Sequence, residues 1–241
     1  MAQRSGDPER VLVVTAHPDD VDFGAAGTVA TWTARGATVA YVVATDGETG
    51  GFDPAIERGE MHRIRREEQR AAAAEVGVDD VTFLGLPDGA VEPTLPLRRA
   101  VAREIRRVRP DIVVTMSPER DWTRIAGPGH PDHLAVGEAT VRAVYPDARN
   151  PFAFPELLAE DGLEPHLVPE VWMFAGPNAD HTVDVTDTLA AKEAALRRHA
   201  SQFEDPDATV EAVRRGLRHN AEVAGLGAAR YAERFRVVST A

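Results

Sequence analysis

The 241-residue sequence predicts an α/β fold: a mainly parallel sheet with helices on both faces, a three-layer sandwich. Three observations predict it. Short apolar runs alternate with helix-length segments from Arg10 to Tyr145, the pattern of repeated βαβ units. The helical segments close on stop signals such as Gly36, Gly77 and Pro110. Two of the apolar runs deliver nearly the same tetrapeptide, His-Pro-Asp-Asp after VLVVTA and His-Pro-Asp-His after DIVVTMS.

Taken in order, RVLVVTA reads as strand one and AAGTVATWTARG as the helix after it. ATVAYVVAT is strand two, and the alanine-rich GEMHRIRREEQRAAAAEVG is a helix capped by Gly77. DVTFLGL is strand three, LPLRRAVAREIRRVRP a helix stopped by its proline, DIVVTMS strand four, and HLAVGEATVRAVY the next helix. Residues 146–169 hold five prolines and no period, which predicts a long loop and a candidate lid. EVWMFAG and HTVDVT follow as strands, DTLAAKEAALRRHASQF and ATVEAVRRGLRHNAEVAGL as amphipathic helices, and ERFRVVS as an added edge strand. No repeat or linker divides the chain, so 1–241 reads as a single domain.

Composition narrows the function classes. Hydrophobic residues make up 43 %, and the net charge of -12 is offset by no basic run, which argues against nucleic acid or an anionic membrane as partner. The absence of cysteine removes thiolate catalysis, disulfides and Zn–Cys sites. The opening MAQRSGDPER lacks the apolar core of a signal peptide, and no run approaches the roughly 20 residues of a membrane span. The expectation is a cytoplasmic protein acting on a small molecule. Its oligomeric state is open, a homo-oligomer included, with EVWMF and VAYVV as core or interface.

The two tetrapeptides carry the chemistry. A parallel sheet binds ligands outside the carboxyl ends of its strands, where strand order reverses. In the order 3-2-1-4 that point lies between strands one and four, so HPDD and HPDH meet there. Proline suits the first turn of a helix, and His17 and Asp20, three apart, can be aimed at one point by one helical turn. With His133 they form a set of three metal ligands that leaves a position open for water. Asp19 can face that water as general base, His130 can protonate a leaving amine or stabilise an oxyanion, and Asp132 can orient an imidazole through its ring N–H. FGAAG, after HPDD, lacks the GxGxxG spacing of a phosphate loop and reads as close helix–strand packing. His62, His166 and His219 have no such context and read as surface residues.

AHPDDVDFGAAGT, TDGETGG, IRREEQRAAAAEVGV, GHPDH and KEAALRRHASQF resemble successive motifs of the LmbE-like (PIG-L) zinc-dependent de-N-acetylase family, over Val11 to about Phe203. The resemblance implies a Rossmann-like fold and hydrolysis of an N-acyl group, usually N-acetyl on a glucosamine-like sugar or sugar conjugate. It implies one Zn²⁺ per chain on His17, Asp20 and His133, Asp19 as base, His130 as acid or oxyanion stabiliser, and Arg65 of IRREE reaching the substrate pocket. Asp22 stands where many relatives have Glu, and Ala26 where many have Gly. Two rival readings share these residues: a non-haem iron enzyme using two histidines and a carboxylate, and a non-catalytic sugar-binding relative.

Overall fold

The computed structural model describes residues 6–240. Residues 1–5 of the opening decapeptide, read above for its lack of an apolar core, lie outside the described residues. The strands β1 (Arg10–Thr15), β2 (Thr38–Thr45), β3 (Asp80–Leu86), β4 (Ile112–Met116), β5 (Glu170–Phe174), β6 (His181–Asp184) and β7 (Ala232–Ser239) form one sheet in the order β3-β2-β1-β4-β5-β7-β6. The first five are mutually parallel, and β7 runs antiparallel to both β5 and β6.

Burial explains why these segments are strands. β4 is buried throughout, and β1 and β2 are buried beyond their first residue, as in strands covered on both faces. VAYVV and EVWMF are therefore parts of inner strands. One layer contains α2 (Ala26–Ala34), α3 (Arg58–Glu75) and α7 (Leu189–Arg197), packed on one another. α4 (Leu95–Val108) and α5 (Pro131–Arg142) pack together and against β1, α6 (Glu156–Ala159) is a single turn, and α8 (Pro206–Val223) packs on β7 and α7. β1 and β4 pair in register, Val14 opposite Thr115, so the loops that follow them leave the sheet side by side.

Five expectations need correction. ERFRVVS is no edge strand: β7 lies between β5 and β6, and Phe235 is fully buried with its ring centroid 5.3 Å from that of Trp172. Its charged residues disguise a central strand, because buried Glu233 is neutralised by Lys192. DTLAAKEAALRRHASQF is not one helix: α7 ends at Arg197, and the chain then turns so that His199 becomes fully buried. The first tetrapeptide forms a tight turn rather than a helical one. The short α1 (Asp20–Gly24) starts only at Asp20, after Asp19 at a positive φ of 97°. In the second, Pro131 does open α5.

The fourth correction concerns 146–169. None of its residues lines the main pocket. Arg106 of α4, 2 % exposed, donates to the carbonyls of Asp147, Ala148, Asn150 and Ala153. Arg98 binds Asp147 through two hydrogen bonds, Arg99 pairs with Glu156, and His166 donates to the Pro110 carbonyl before β4. The segment is strapped to α4 and the amino end of the sheet, away from the tetrapeptides, so it is not a lid. His166 is likewise a half-buried anchor rather than a free surface residue.

Candidate active site

Asp20 organises the turn that follows β1. Its Oδ2 accepts the backbone N–H groups of Ala16 and His17 at 3.1 and 2.7 Å, which folds the carboxylate back beneath its own strand end. Oδ1 is left facing His133 Nε2 at 3.1 Å. His17 Nδ1 lies 3.1 Å from the same His133 nitrogen. His133 Nε2 thus stands between an imidazole nitrogen and a carboxylate oxygen, and the Asp20 carboxylate lies 3.6 Å from His17 Nδ1 through its other oxygen.

The remaining contacts set the tautomers. His17 Nε2 sits 3.1 Å from both Asp132 Oδ2 and Asp88 Oδ1, so that nitrogen carries a proton, and Nδ1 is the nitrogen whose lone pair a bound cation would take. Asp132, fully buried, also accepts from the Gly89 and Val91 N–H groups. Burial works against a charged His17 imidazole, but Asp132, Asp20 and Asp88 override it and push its pKa up to about 12. The surroundings thus demand positive charge at this spot. A tetrahedral ion with ligand bonds of about 2.0–2.1 Å places neighbouring donors about 3.3 Å apart, close to the 3.1 Å spacings found here. The donor set therefore fits a divalent cation of the zinc type. His130 adds a third ring nitrogen within 4.8 Å of those of His17 and His133. Its Nδ1 accepts from the Asp132 N–H at 3.2 Å, which leaves Nε2 as the donor end of the ring.

Asp19 stands beside this cluster, its backbone fixed by a hydrogen bond from its N–H to Gln69 Oε1 at 2.8 Å. Its carboxylate is 17 % exposed and takes a 3.0 Å ion pair from Arg65 on Oδ2. Burial raises the Asp19 carboxyl above its ordinary pKa and neighbouring Asp20 adds to this, while Arg65 opposes it. Burial holds the His130 imidazole below its ordinary pKa, and positive charge at the neighbouring cluster acts in the same direction.

Arg65 lines the pocket as expected of a substrate contact, yet it is only 4 % exposed and its Nη groups donate to the Gly47 carbonyl, the Pro18 carbonyl and Asp19. Only its buried Nε lacks a partner. The cavity occupies about 860 Å³. It takes residues from the loops 46–58 (Thr49, Gly50), 85–94 (Asp88) and 116–129 (Arg124, Pro128).

Sequence reasoning missed Asp88 and the buried layer under the turn. Asp22 Oδ2 accepts from His199 Nε2 at 2.8 Å and from Gln69 Nε2 at 3.1 Å, all three residues being fully buried. Lys192 Nζ, also fully buried, donates to the Asp22 and Phe23 carbonyls and to Glu233, whose carboxylate accepts the Gly27 and Thr28 N–H groups. Asp88 had a signal, an acid just past a strand end like HPDD. Lys192 and His199 share one face of KEAALRRH seven residues apart; Gln69 had none. FGAAG does pack closely: a Cβ on Gly24 would collide with the Phe174 ring, and one on Gly27 would lie 2.8 Å from Val185 Cβ.

Three comparisons place this geometry. The chain is 33 % identical over 197 residues to diacetylchitobiose deacetylase of Thermococcus kodakarensis, covering 82 % of this chain and 71 % of the relative. It is 32 % identical to the 1D-myo-inositol 2-acetamido-2-deoxy-alpha-D-glucopyranoside deacetylase of Kineococcus radiotolerans, over 88 % of this chain and 74 % of that protein. The structure of N,N'-diacetylchitobiose deacetylase from Pyrococcus horikoshii superposes with a TM-score of 0.87 at 28 % identity, covering 97 % of this chain and 85 % of that one. Since the model of the PIG-L family, GlcNAc-PI de-N-acetylase, also matches residues 12–144, more than half of the sequence, the chain belongs to the PIG-L family.

Proposed function

We propose that the chain is a metal-dependent amidohydrolase that removes the N-acetyl (N-acyl) group of a glucosamine-like sugar or sugar conjugate. The observation that carries this reading is His133 Nε2 standing 3.1 Å from both His17 Nδ1 and Asp20 Oδ1, beside Asp19 on the wall of a large pocket. Relatives named for removing acetyl groups from acetamido sugars support it.

His17, Asp20 and His133 would hold one zinc ion. When bound, such an ion supplies Lewis-acid activation of water and of the amide carbonyl. Asp19 takes the proton of the attacking water: Arg65 anchors its Oδ2 and leaves Oδ1 for the water. The raised pKa of Asp19 strengthens it as a base, and the direction follows from burial. His130, kept neutral by burial and by the positive charge at the ligand cluster, donates from Nε2 to the carbonyl oxygen as negative charge builds there. The protonated Asp19 then passes its proton to the departing nitrogen, giving a carboxylic acid and a free amine. Asp132 orients His17, and Arg65 orients Asp19 rather than the sugar.

The test joins amine release to metal content. His17→Ala, Asp20→Ala and His133→Ala should each lose bound zinc and activity on N-acetylglucosamine conjugates while circular dichroism is unchanged. Full zinc occupancy in any one of them removes that residue from the ligand set. Absence of amine release by the zinc-loaded wild type across a panel of acetamido sugars overturns the reaction itself.

A further inference from the structure

The carboxyl edge of the sheet is chemically two-sided around His17. Towards β2 and β3 the pocket wall is polar, with Thr49 after β2, Asp88 after β3 and Arg65 of α3. Towards β5 and α8 it is largely apolar, with Glu233 and Arg234 of β7 as the charged residues on that side. Phe174 and Ala175 end β5, Phe23 lies one turn beyond Asp20, and Val213 and Leu217 face the cavity from α8. Phe23 is 40 % exposed on a helix whose other side chains are buried.

Polar residues on the apolar side have commitments elsewhere. Glu233 neutralises Lys192 and accepts two backbone N–H groups, Asn220 Nδ2 donates to the Ala232 carbonyl, and Arg234 Nη2 donates to the Ala179 carbonyl, its buried Nε being left without a partner.

An amide is two-sided as well. Its nitrogen bears the amino sugar and its carbonyl carbon bears the acyl chain. With the carbonyl at the His17–Asp20–His133 cluster, a sugar in the polar half sends its acyl chain into the apolar half. The methyl of an acetyl group leaves most of that half empty, in a cavity of about 860 Å³, which is large enough for a drug-sized ligand.

We propose that the β5–α8 half of the pocket is an acyl-chain groove, and that the preferred substrates are amides of amino sugars carrying an apolar acyl chain longer than acetyl. The proposal rests on the amide-hydrolase reading above and names its substrate class. Each methylene moved from water into such a groove is worth about fourfold in an equilibrium constant.

The experiment uses N-acetyl-, N-butanoyl-, N-hexanoyl- and N-octanoylglucosamine with the zinc-loaded full chain. Amine release gives kcat/KM, and calorimetry gives Kd. The wild type should process the hexanoyl amide about tenfold or more better than the acetyl amide. Gly216→Phe tests the location. Gly216 lines the cavity on α8, and a Cβ there meets nothing within 4 Å, so the helix accepts a ring at the groove wall without a clash at its base. Its hexanoyl-to-acetyl ratio should fall to about one. Val213→Asp, which puts a charge on the same helix face, should lower the ratio independently. A flat or falling chain-length profile in the wild type, or a ratio kept in both variants, overturns the groove. If no amide releases amine, the reaction reading fails. Tighter binding of the octanoyl than of the acetyl compound, abolished by Gly216→Phe, would still uphold the groove, and equal binding would overturn it.

Discussion

Asp19→Asn separates proton transfer from architecture. Asp19 holds a positive φ of 97°, a conformation that costs most L residues about 1–2 kcal/mol and that Asn tolerates well. Asn keeps an oxygen for the Arg65 Nη2 now 3.0 Å away, and the backbone N–H still donates to Gln69. The turn should survive, and with it His17 and Asp20, the proposed metal ligands on either side. What disappears is a group able to accept a proton from water at neutral pH. A general base contributes about 10²–10⁴-fold, equivalent to roughly 2.7–5.4 kcal/mol on the barrier. The expected result is a kcat lower by that factor, KM little changed and zinc content equal to wild type, measured by amine release and elemental analysis. Asp19→Ala should lose as much activity and also some stability, because Ala in the same φ loses the Arg65 partner and the tolerance for the turn. At about 1–2 kcal/mol, Tm falls by roughly 2–8 °C. Turnover by Asp19→Asn within tenfold of wild type on a confirmed substrate would refute the argument and make Asp19 a structural acid.

Other perturbations report on the layer beneath the site. Lys192→Met leaves buried Glu233 without its countercharge and should cost about 3–5 kcal/mol in urea unfolding, with Lys192→Met/Glu233→Gln recovering much of it; a loss as small as that of an exposed pair would show the charge to be solvated. Gly24→Ala forces a methyl into the Phe174 ring and should destabilise by about 1–3 kcal/mol in the same measurement. The His199 pKa is raised: burial lowers it, but Asp22 more than compensates. Its stabilisation is therefore complete below the unfolded value of about 6.5 and is lost as pH rises through the higher folded value. The stability gap between wild type and His199→Gln should accordingly be wider at low pH than at high pH, and the opposite slope would deny the charged pair.

The sheet was legible because its strands are apolar enough to be buried on both faces, and strand order then brought two distant tetrapeptides together. Position along the chain was harder to read where a charge is buried. Glu233 made β7 look like an edge, and its partner lies on a different helix, a pairing that no local pattern records. Prolines made 146–169 look loose, whereas one side chain, Arg106, gathers four of its carbonyls. The side chains converging at the site came from motif spacing, and the tight turn that aims them came from Asp20 accepting two backbone N–H groups, an arrangement periodicity does not predict.

The buried supports of the HPDD turn come from far along the chain. Lys192 lies 170 residues beyond Asp22, His199 lies 177 beyond it, and Glu233 lies 206 beyond Gly27. A ribosome delivers the turn early and its supports last. A nascent chain that already holds β1 to β4 and both tetrapeptides still lacks the lysine, histidine and glutamate that underpin Asp22 and the start of α2. The candidate site therefore receives its buried supports late in synthesis, after the residues that line it have already emerged.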